Sequence, residues 1–231
     1  MSAGEEERNA MADGEQRLAD AQRRQWQSTY TTNPGMYGEE PSEPAVHAAS
    51  VFRTAGAGDV LELGAGQGRD SLYFARAGFT VRAVDFSPVA LEQLHEAARA
   101  SGVEERVRTA VQDVRDPLPL PDDSVDAVFA HMLLCMALST EELHALVAEV
   151  RRVLRPGGTF VYTVRHTGDA HYGTGTPHGD GIFEHAGFAV HFFDRDLVDA
   201  LADGWVLSEV HAFEEGGLPR RLWRVTQTLP R

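Results

Sequence analysis

The sequence predicts an α/β fold: a sheet of seven strands, six parallel and one antiparallel, with helices on both faces. Three observations lead there. Short apolar runs of β character alternate with amphipathic helical runs along most of the chain. The stretch Val60–Pro88 reads as strand, glycine turn, helix, strand, the unit that places two parallel strands on one sheet with their ends at one edge. The last apolar run, Leu222–Thr228, is expected to insert antiparallel.

Taken in order, Met1 to about Asp13 is polar, with Glu5, Glu6 and Glu7 in a row, and is expected to be disordered. A helix follows from about Gly14 to Tyr30, with Leu18, Ala21 and Gln25 on one side, and Asn33-Pro34-Gly35 breaks it. Trp26, Tyr30, Met36 and Tyr37 suit packing of this helix on the rest of the domain. Pro44–Ala55 reads as a helix leading into a first strand around Val60, Leu61 and Leu63. Gly64, Gly66 and Gly68 come next, then a helix Arg69–Ala77 stopped by Gly78. Thr80–Val84 is the second strand and Asp85 ends it. Ser87 and Pro88 start a helix that runs to about Ala100 and Gly102. Val107–Val111 is the third strand, followed by Asp113 and Val114. Ser124–Ala130 is the fourth, with His131 just beyond its carboxyl end. Thr140 is the expected cap of an amphipathic helix Glu141–Leu154, and Arg155-Pro156-Gly157-Gly158 leads into a fifth strand, Thr159–Val164. Arg165–Phe188, rich in His and Gly, carries no clear pattern of regular structure. Such a segment works as a binding loop or lid. Asp194–Ala202 is a helix, Trp205–His211 the sixth strand, and Phe213–Arg221 a loop at the same sheet edge as the glycine turn.

Length and composition set limits. The 231 residues suffice for one domain with a sizeable core, and 42% of them are apolar. The net charge of −14 disfavours nucleic-acid backbones and anionic membrane surfaces, so neither is an expected partner. A single cysteine, Cys135, fits a reducing compartment, and no secretory signal pattern opens the chain, so a cytoplasmic location is expected.

The chemistry of Val60–Pro88 follows from its geometry. Glycines at a strand-to-helix turn let a ligand approach the backbone closely. An acidic residue about 20 residues on accepts hydrogen bonds from ribose hydroxyls, a role that Asp85 fits. A nucleoside-containing cofactor is therefore expected. The dinucleotide pattern G-x-G-x-x-G is not met, because Arg69 stands where the third glycine would be.

The pattern Glu62-x-Gly64-x-Gly66-x-Gly68 followed by Asp85 resembles instead the first motifs of class I methyltransferases that use S-adenosyl-L-methionine, with their Rossmann-like sheet. The resemblance implies that Gly64, Gly66 and Gly68 lie under the methionine end of S-adenosyl-L-methionine, that Glu62 supports it, and that Asp85, with Phe86 beside it, holds the ribose. It implies that Asp113 and Val114 meet the adenine. His131, beyond the carboxyl end of strand four where ligands of open α/β sheets bind, is a candidate for contact with the cofactor or for a structural histidine. It also implies a lid from the N-terminal 1–45 segment over a methyltransferase domain at 46–231. Within the class, Gly66–Ala75 looks like the tellurite-resistance and thiopurine-type small-molecule enzymes. The Asn/Asp-Pro-Pro-Tyr signature of adenine and glutamine N-methylases is absent after strand four.

The acceptor is expected to be a small molecule. An oxygen or nitrogen nucleophile needs a base, and His166, His171 and His185 are candidates because imidazole titrates near neutral pH. Glu214, Glu215, Arg220 and Arg221 are candidates for charged ends of a substrate. His178 adds to the histidine count of the loop, yet neither an HExxH motif nor a Cys–His spacing is present, so no required metal is expected. Two other readings remain: a binding protein for S-adenosyl-L-methionine or a nucleoside that performs no catalysis, and a nicotinamide oxidoreductase, which Arg69 disfavours.

Overall fold

The structure is a computed structural model that describes residues 3–216 and 220–231. In chain order its elements are α1 (Ala3–Thr32), α2 (Glu43–Ala55), β1 (Asp59–Leu63), α3 (Arg69–Arg76), β2 (Thr80–Asp85), α4 (Pro88–Ala100), β3 (Val107–Val111) and β4 (Val125–His131). Then come α5 (Thr140–Val153), β5 (Leu154–Arg165), β6 (Thr176–Gly179), β7 (Ile182–His185), β8 (Phe188–His191), α6 (Arg195–Leu201), β9 (Val206–Glu215) and β10 (Arg220–Thr228).

Seven strands form the central sheet in the order β3-β2-β1-β4-β5-β10-β9. β1 runs parallel to β2 and β4, β2 to β3, and β4 to β5, while β10 is antiparallel to both β5 and β9. Six strands therefore share one direction and β10 is reversed, as the sequence predicts. Strand alternation sorts the core into two layers. Ala127, Phe129 and Val161 face Phe52, Phe74 and Phe79 on the side of α2, α3 and α4. Val128, Ala130, Phe160 and Tyr162 face Leu143, Leu146 and Trp205 on the side of α5 and α6. No helix among the described residues is long and apolar enough to cross a membrane.

Local chemistry sets the helix ends. Ser42 caps α2 by accepting the Ala45 N–H, and Gly56 closes it in the left-handed conformation. Ser87 caps α4, with Pro88 in its first turn. The cap of α5 is Ser139 rather than Thr140. Ser139 and Glu142 form a reciprocal capping box, and Thr140 already lies inside the helix.

Three further segments differ from expectation. Residues 3–13 are the first turns of α1 instead of a disordered tail; Ala, Glu, Arg and Met are strong helix formers, and their polarity does not prevent a helix. Only Met1 and Ser2 of that segment lie outside the described residues. The His- and Gly-rich segment folds into a second sheet, β6-β7-β8, antiparallel throughout. Its strands are four residues each, too short for an alternation signal to emerge. The expected loop from Phe213 is largely strand, because β9 continues to Glu215, with Glu214 opposite Arg221 and Glu215 opposite Arg220. Gly217, Leu218 and Pro219 lie outside the described residues.

Candidate active site

A cavity of about 770 Å³ opens at the carboxyl ends of β1, β2 and β4. Its floor is the glycine turn. Gly64 and Ala65 both donate to the Val84 carbonyl, at 2.8 and 3.0 Å, which clamps the turn to the end of β2. Gly66 has φ +54°, and a Cβ there would stand 3.0 Å from the Tyr30 hydroxyl. Gly68 has φ +84°, and a Cβ there would stand 2.1 Å from Leu94, which is fully buried. These two positions need glycine for conformation and for close approach.

Asp85 closes the floor. One carboxylate oxygen accepts the Gly66 N–H at 2.9 Å and the other accepts the Ser87 N–H at 2.8 Å. The side chain is almost wholly buried, and burial pushes its pKa up to about 6 against the pull of those two bonds. Each oxygen has one bonded donor and capacity for another, an arrangement that suits a diol. Glu62 is also buried and bonded to the Ser71 hydroxyl. Burial, with the charge of Asp70 added, pushes its carboxyl well above the ordinary range. Asp70 accepts from the Ser42 N–H at 2.7 Å and from its hydroxyl at 2.8 Å, which fastens α2 to α3 beneath the turn. Asp70 escaped the sequence reading because its role joins positions far apart in the chain.

Asp113 and Val114 border a smaller recess that shares Trp26, Phe86, Leu133 and Met136 with the main cavity. The Asp113 carboxylate is held by Arg115 at 2.9 and 2.6 Å and by Arg23 of α1. Burial alone would raise its pKa; the bonds from Arg115 and Arg23 override burial and hold it below the usual range.

α1 and the turn after it form the roof through Trp26, Tyr30, Met36 and Tyr37. Both ends of this roof are fastened. The Gln22 amide donates to the Gly187 carbonyl at 2.9 Å and accepts the Ala189 N–H at 3.0 Å, next to an edge contact of 4.9 Å between Trp26 and Phe188. At the other end Gln67 donates to the Asn33 carbonyl at 3.0 Å and accepts the Met36 N–H at 3.1 Å.

The far end of the cavity is lined by Met132, Met136, Phe183, Val190 and Phe192, with Arg165, His171 and His185. Arg165 ends β5 and is ion-paired with buried Asp169. The same guanidinium donates to His171 Nδ1 at 2.9 Å and lies 5.0 Å from the Phe192 ring centroid. The His171 and His185 rings stack with centroids 4.7 Å apart. At the side, His131 stands between Thr163 (2.8 Å) and Glu215 (3.3 Å), and its hydrogen bond holds the Glu215 carboxyl below the usual range. Arg220 follows at 3.5 Å from Glu215.

The structure thus gathers Glu62, Gly64, Gly66, Gly68, Asp85, Phe86, His131, His171 and His185 around one cavity, with Glu215 and Arg220. It sets His166 apart. That ring stacks on Trp223 at 4.6 Å, and its Nδ1 accepts the Gly168 N–H at 3.0 Å. The pair Glu214 and Arg221 is more than half exposed and does not line the cavity. Arg165 and Gln22, like Asp70, are contributors not foreseen from the sequence. Arg165 carried a weak signal, a cation four residues before Asp169.

A seven-stranded sheet with this strand order, one reversed strand and a glycine turn at the carboxyl end of β1 is the fold of the class I methyltransferases. Residues 60–158 match the family described as "Methyltransferase domain". Among solved structures the fold is similar to 1,6-didemethyltoxoflavin-N1-methyltransferase from Burkholderia thailandensis. The two share 21% identity, with 94% of this chain and 90% of that one covered, at a TM-score of 0.72. It is also similar to the CcbJ methyltransferase from Streptomyces caelestis, at 24% identity, 88% and 96% coverage and a TM-score of 0.68. At such identities the likeness establishes the fold. By sequence the chain is 34% identical over 100 residues to the methyltransferase GfsG from Streptomyces halstedii, covering 43% of this chain and 34% of that protein. The curated relatives are aligned over less than half of their own length, from 20% to 47%.

Proposed function

We propose that this chain transfers the methyl group of S-adenosyl-L-methionine to a small-molecule acceptor with an apolar, aromatic body. One observation carries the proposal: a single cavity runs from the glycine turn and Asp85 to a compartment of Phe183, Phe192, Met132 and Met136 beside two histidines. Its volume of about 770 Å³ lies within the range of small-molecule sites, roughly 300–1,000 Å³.

The donor set fits the cofactor. Asp85 accepts the two ribose hydroxyls with the capacity its oxygens have left. The glycine turn lets the methionine end lie against the backbone, supported from below by Glu62. Asp113 and Val114 meet the adenine once Arg23 yields its place. His131 faces the cofactor from the end of β4. S-adenosyl-L-methionine supplies an already activated methyl group, so the chain has to align the acceptor, exclude water and remove a proton. α1 serves as the lid, fastened by Gln22 and Gln67. His171 and His185 are in place to serve the acceptor, and His166 keeps a structural role against Trp223.

The similar Burkholderia enzyme, whose structure contains 1,6-didemethyltoxoflavin and S-adenosylhomocysteine, supports a small-molecule acceptor. The closer likeness to tellurite-resistance and thiopurine-type enzymes rests on Gly66–Ala75 and is part of the same proposal. The net charge of −14 supports a small molecule over a nucleic acid. Calorimetry with S-adenosylhomocysteine and NADH is the test. S-adenosylhomocysteine is expected to bind and NADH to fail. Stronger binding of NADH would overturn the reading, and tight S-adenosylhomocysteine binding without turnover on a broad acceptor panel would favour a non-catalytic binding protein.

A further inference from the structure

The hydrogen bonds around His171 and His185 determine which ring nitrogen of each carries a proton. Arg165 is a donor only, and its Nη2 donates to His171 Nδ1 at 2.9 Å. His171 Nδ1 is therefore an acceptor, and neutral His171 carries its proton on Nε2. Thr174 sits between the rings. Its hydroxyl donates to the His171 carbonyl at 2.8 Å, and a carbonyl only accepts. That uses the one hydroxyl proton. With that proton on the carbonyl, the contact between Thr174 Oγ1 and His185 Nε2 is assigned to donation by His185. Neutral His185 has its proton on Nε2 and a lone pair on Nδ1, which receives no hydrogen bond among the described residues. Both rings are in the same tautomer, but opposite atoms are tied up. His171 is left with a donor, and His185 with an acceptor.

Both rings line the cavity, stacked with centroids 4.7 Å apart. The charged groups behind them are Arg165, which is bonded to His171, and Asp169, which neutralises it and also accepts the His171 N–H at 2.9 Å. Glu184, next to His185 in β7, is turned to His178 at 2.8 Å.

We propose that the two histidines divide the recognition of the acceptor. His171 donates from Nε2 to an accepting atom of the acceptor, and His185 takes at Nδ1 the proton of an adjacent nucleophilic N–H or O–H. This rests on the methyltransferase reading above and names the substrate class. The acceptor is an aromatic molecule with an ionisable N–H or O–H beside a carbonyl, ring nitrogen or hydroxyl oxygen. In the step, the acceptor's N–H or O–H bond breaks and its proton goes to His185 Nδ1. The electron pair left behind forms the bond to the methyl carbon. The carbon–sulfur bond breaks with its pair going to sulfur. The products are the methylated acceptor, S-adenosylhomocysteine and an imidazolium that returns its proton to water. Thr174 and Arg165 are positioning residues.

The test uses the full chain with 2-pyridone and catechol as probes. Calorimetry with S-adenosylhomocysteine comes first; if it does not bind, the underlying reading falls and this one with it. If it binds, S-adenosylhomocysteine release is expected with at least one probe. His185→Gln is expected to lower kcat by roughly 100-fold or more, as loss of a general base does, with S-adenosylhomocysteine affinity within about twofold. His171→Gln is expected to act mainly on KM. In nitrogen-15 histidine spectra both neutral rings are expected as the Nε2–H tautomer, and Thr174→Val should shift His185 alone toward a mixture. Intact cofactor binding with no release from either probe overturns the substrate class. An unchanged kcat in His185→Gln, or a neutral His185 protonated on Nδ1, overturns the division of roles.

Discussion

At the glycine-turn end of the cavity the lining groups are the backbone of the turn and the carboxylates of Glu62 and Asp85 near the ends of β1 and β2. At the far end they are side chains from the end of β5, the turn after it and β7. The first end is assembled from residues within Val60–Pro88, and Asp85 reaches Gly66 across 19 positions. The second depends on partners from separate elements, such as His171 against His185 of the second sheet and Arg221 N–H of β10 on Asp169. A backbone cradle suits a ligand part that does not vary. A compartment of interlocking side chains can be rebuilt for a new acceptor without disturbing the first.

Breaking the Arg165–Asp169 pair should give the largest effect on stability. Asp169→Ala strands a buried guanidinium and is expected to cost about 3–5 kcal/mol, read as a lower urea midpoint, with loss of His171 placement. Gly68→Ala should cost nearly as much at the other end. The left-handed conformation contributes about 1–2 kcal/mol of strain and the overlap with Leu94 about 1–3 kcal/mol. If Asp169→Ala also abolished S-adenosylhomocysteine binding in a protein that remains folded, the two ends would not be separable.

On the proposed function Asp85→Ala removes the ribose bonds, and it leaves the Gly66 and Ser87 N–H groups without an acceptor. The expected loss is about 1–3 kcal/mol of S-adenosylhomocysteine affinity, or roughly 5- to 150-fold in Kd. Acid should pull the two ends in opposite directions. The folded pKa of Asp85, about 6, is above its ordinary 3.8. Its contribution to stability therefore grows as pH falls from about 6 toward 4, while on the proposed function S-adenosylhomocysteine affinity is expected to fall as the carboxylate is lost. For Asp169 burial acts to raise the pKa, but the bonds from Arg165, His171 N–H and Arg221 N–H win and hold it below the ordinary value. Its contribution is fully present above the ordinary carboxylate range and is lost as pH falls through the depressed value. Urea titrations of wild type, Asp85→Asn and Asp169→Asn across this range would show slopes of opposite sign.

The smallest effect belongs to the strap between the ends. Gln22→Ala removes the hydrogen bonds to the Gly187 carbonyl and the Ala189 N–H and is expected to cost about 1–2 kcal/mol of α1 docking, read as faster hydrogen exchange at the Ala189 amide, with S-adenosylhomocysteine binding retained.

The difference between the two ends also governs what could be read in advance. Gly64, Gly66, Gly68 and Asp85 were legible because one short stretch holds the whole device. Ser87 announced its helix through a cap that acts within three residues. The small sheet was not legible, since its strands are four residues long and rich in glycine. His166 could not be told from His171 and His185 by spacing, and only packing against Trp223 sets it apart.

By itself the sequence determined the αβ alternation and the glycine turn that floors the cavity, because hydrophobic period, glycine conformation and capping are local properties of a chain. Tertiary structure alone decided the roof that Gln22 fastens at the start of β8 and the engagement of Asp113 by Arg23. Each of these is a hydrogen bond between groups that meet only once the chain has folded, and a donor and acceptor far apart in sequence leave no periodic trace.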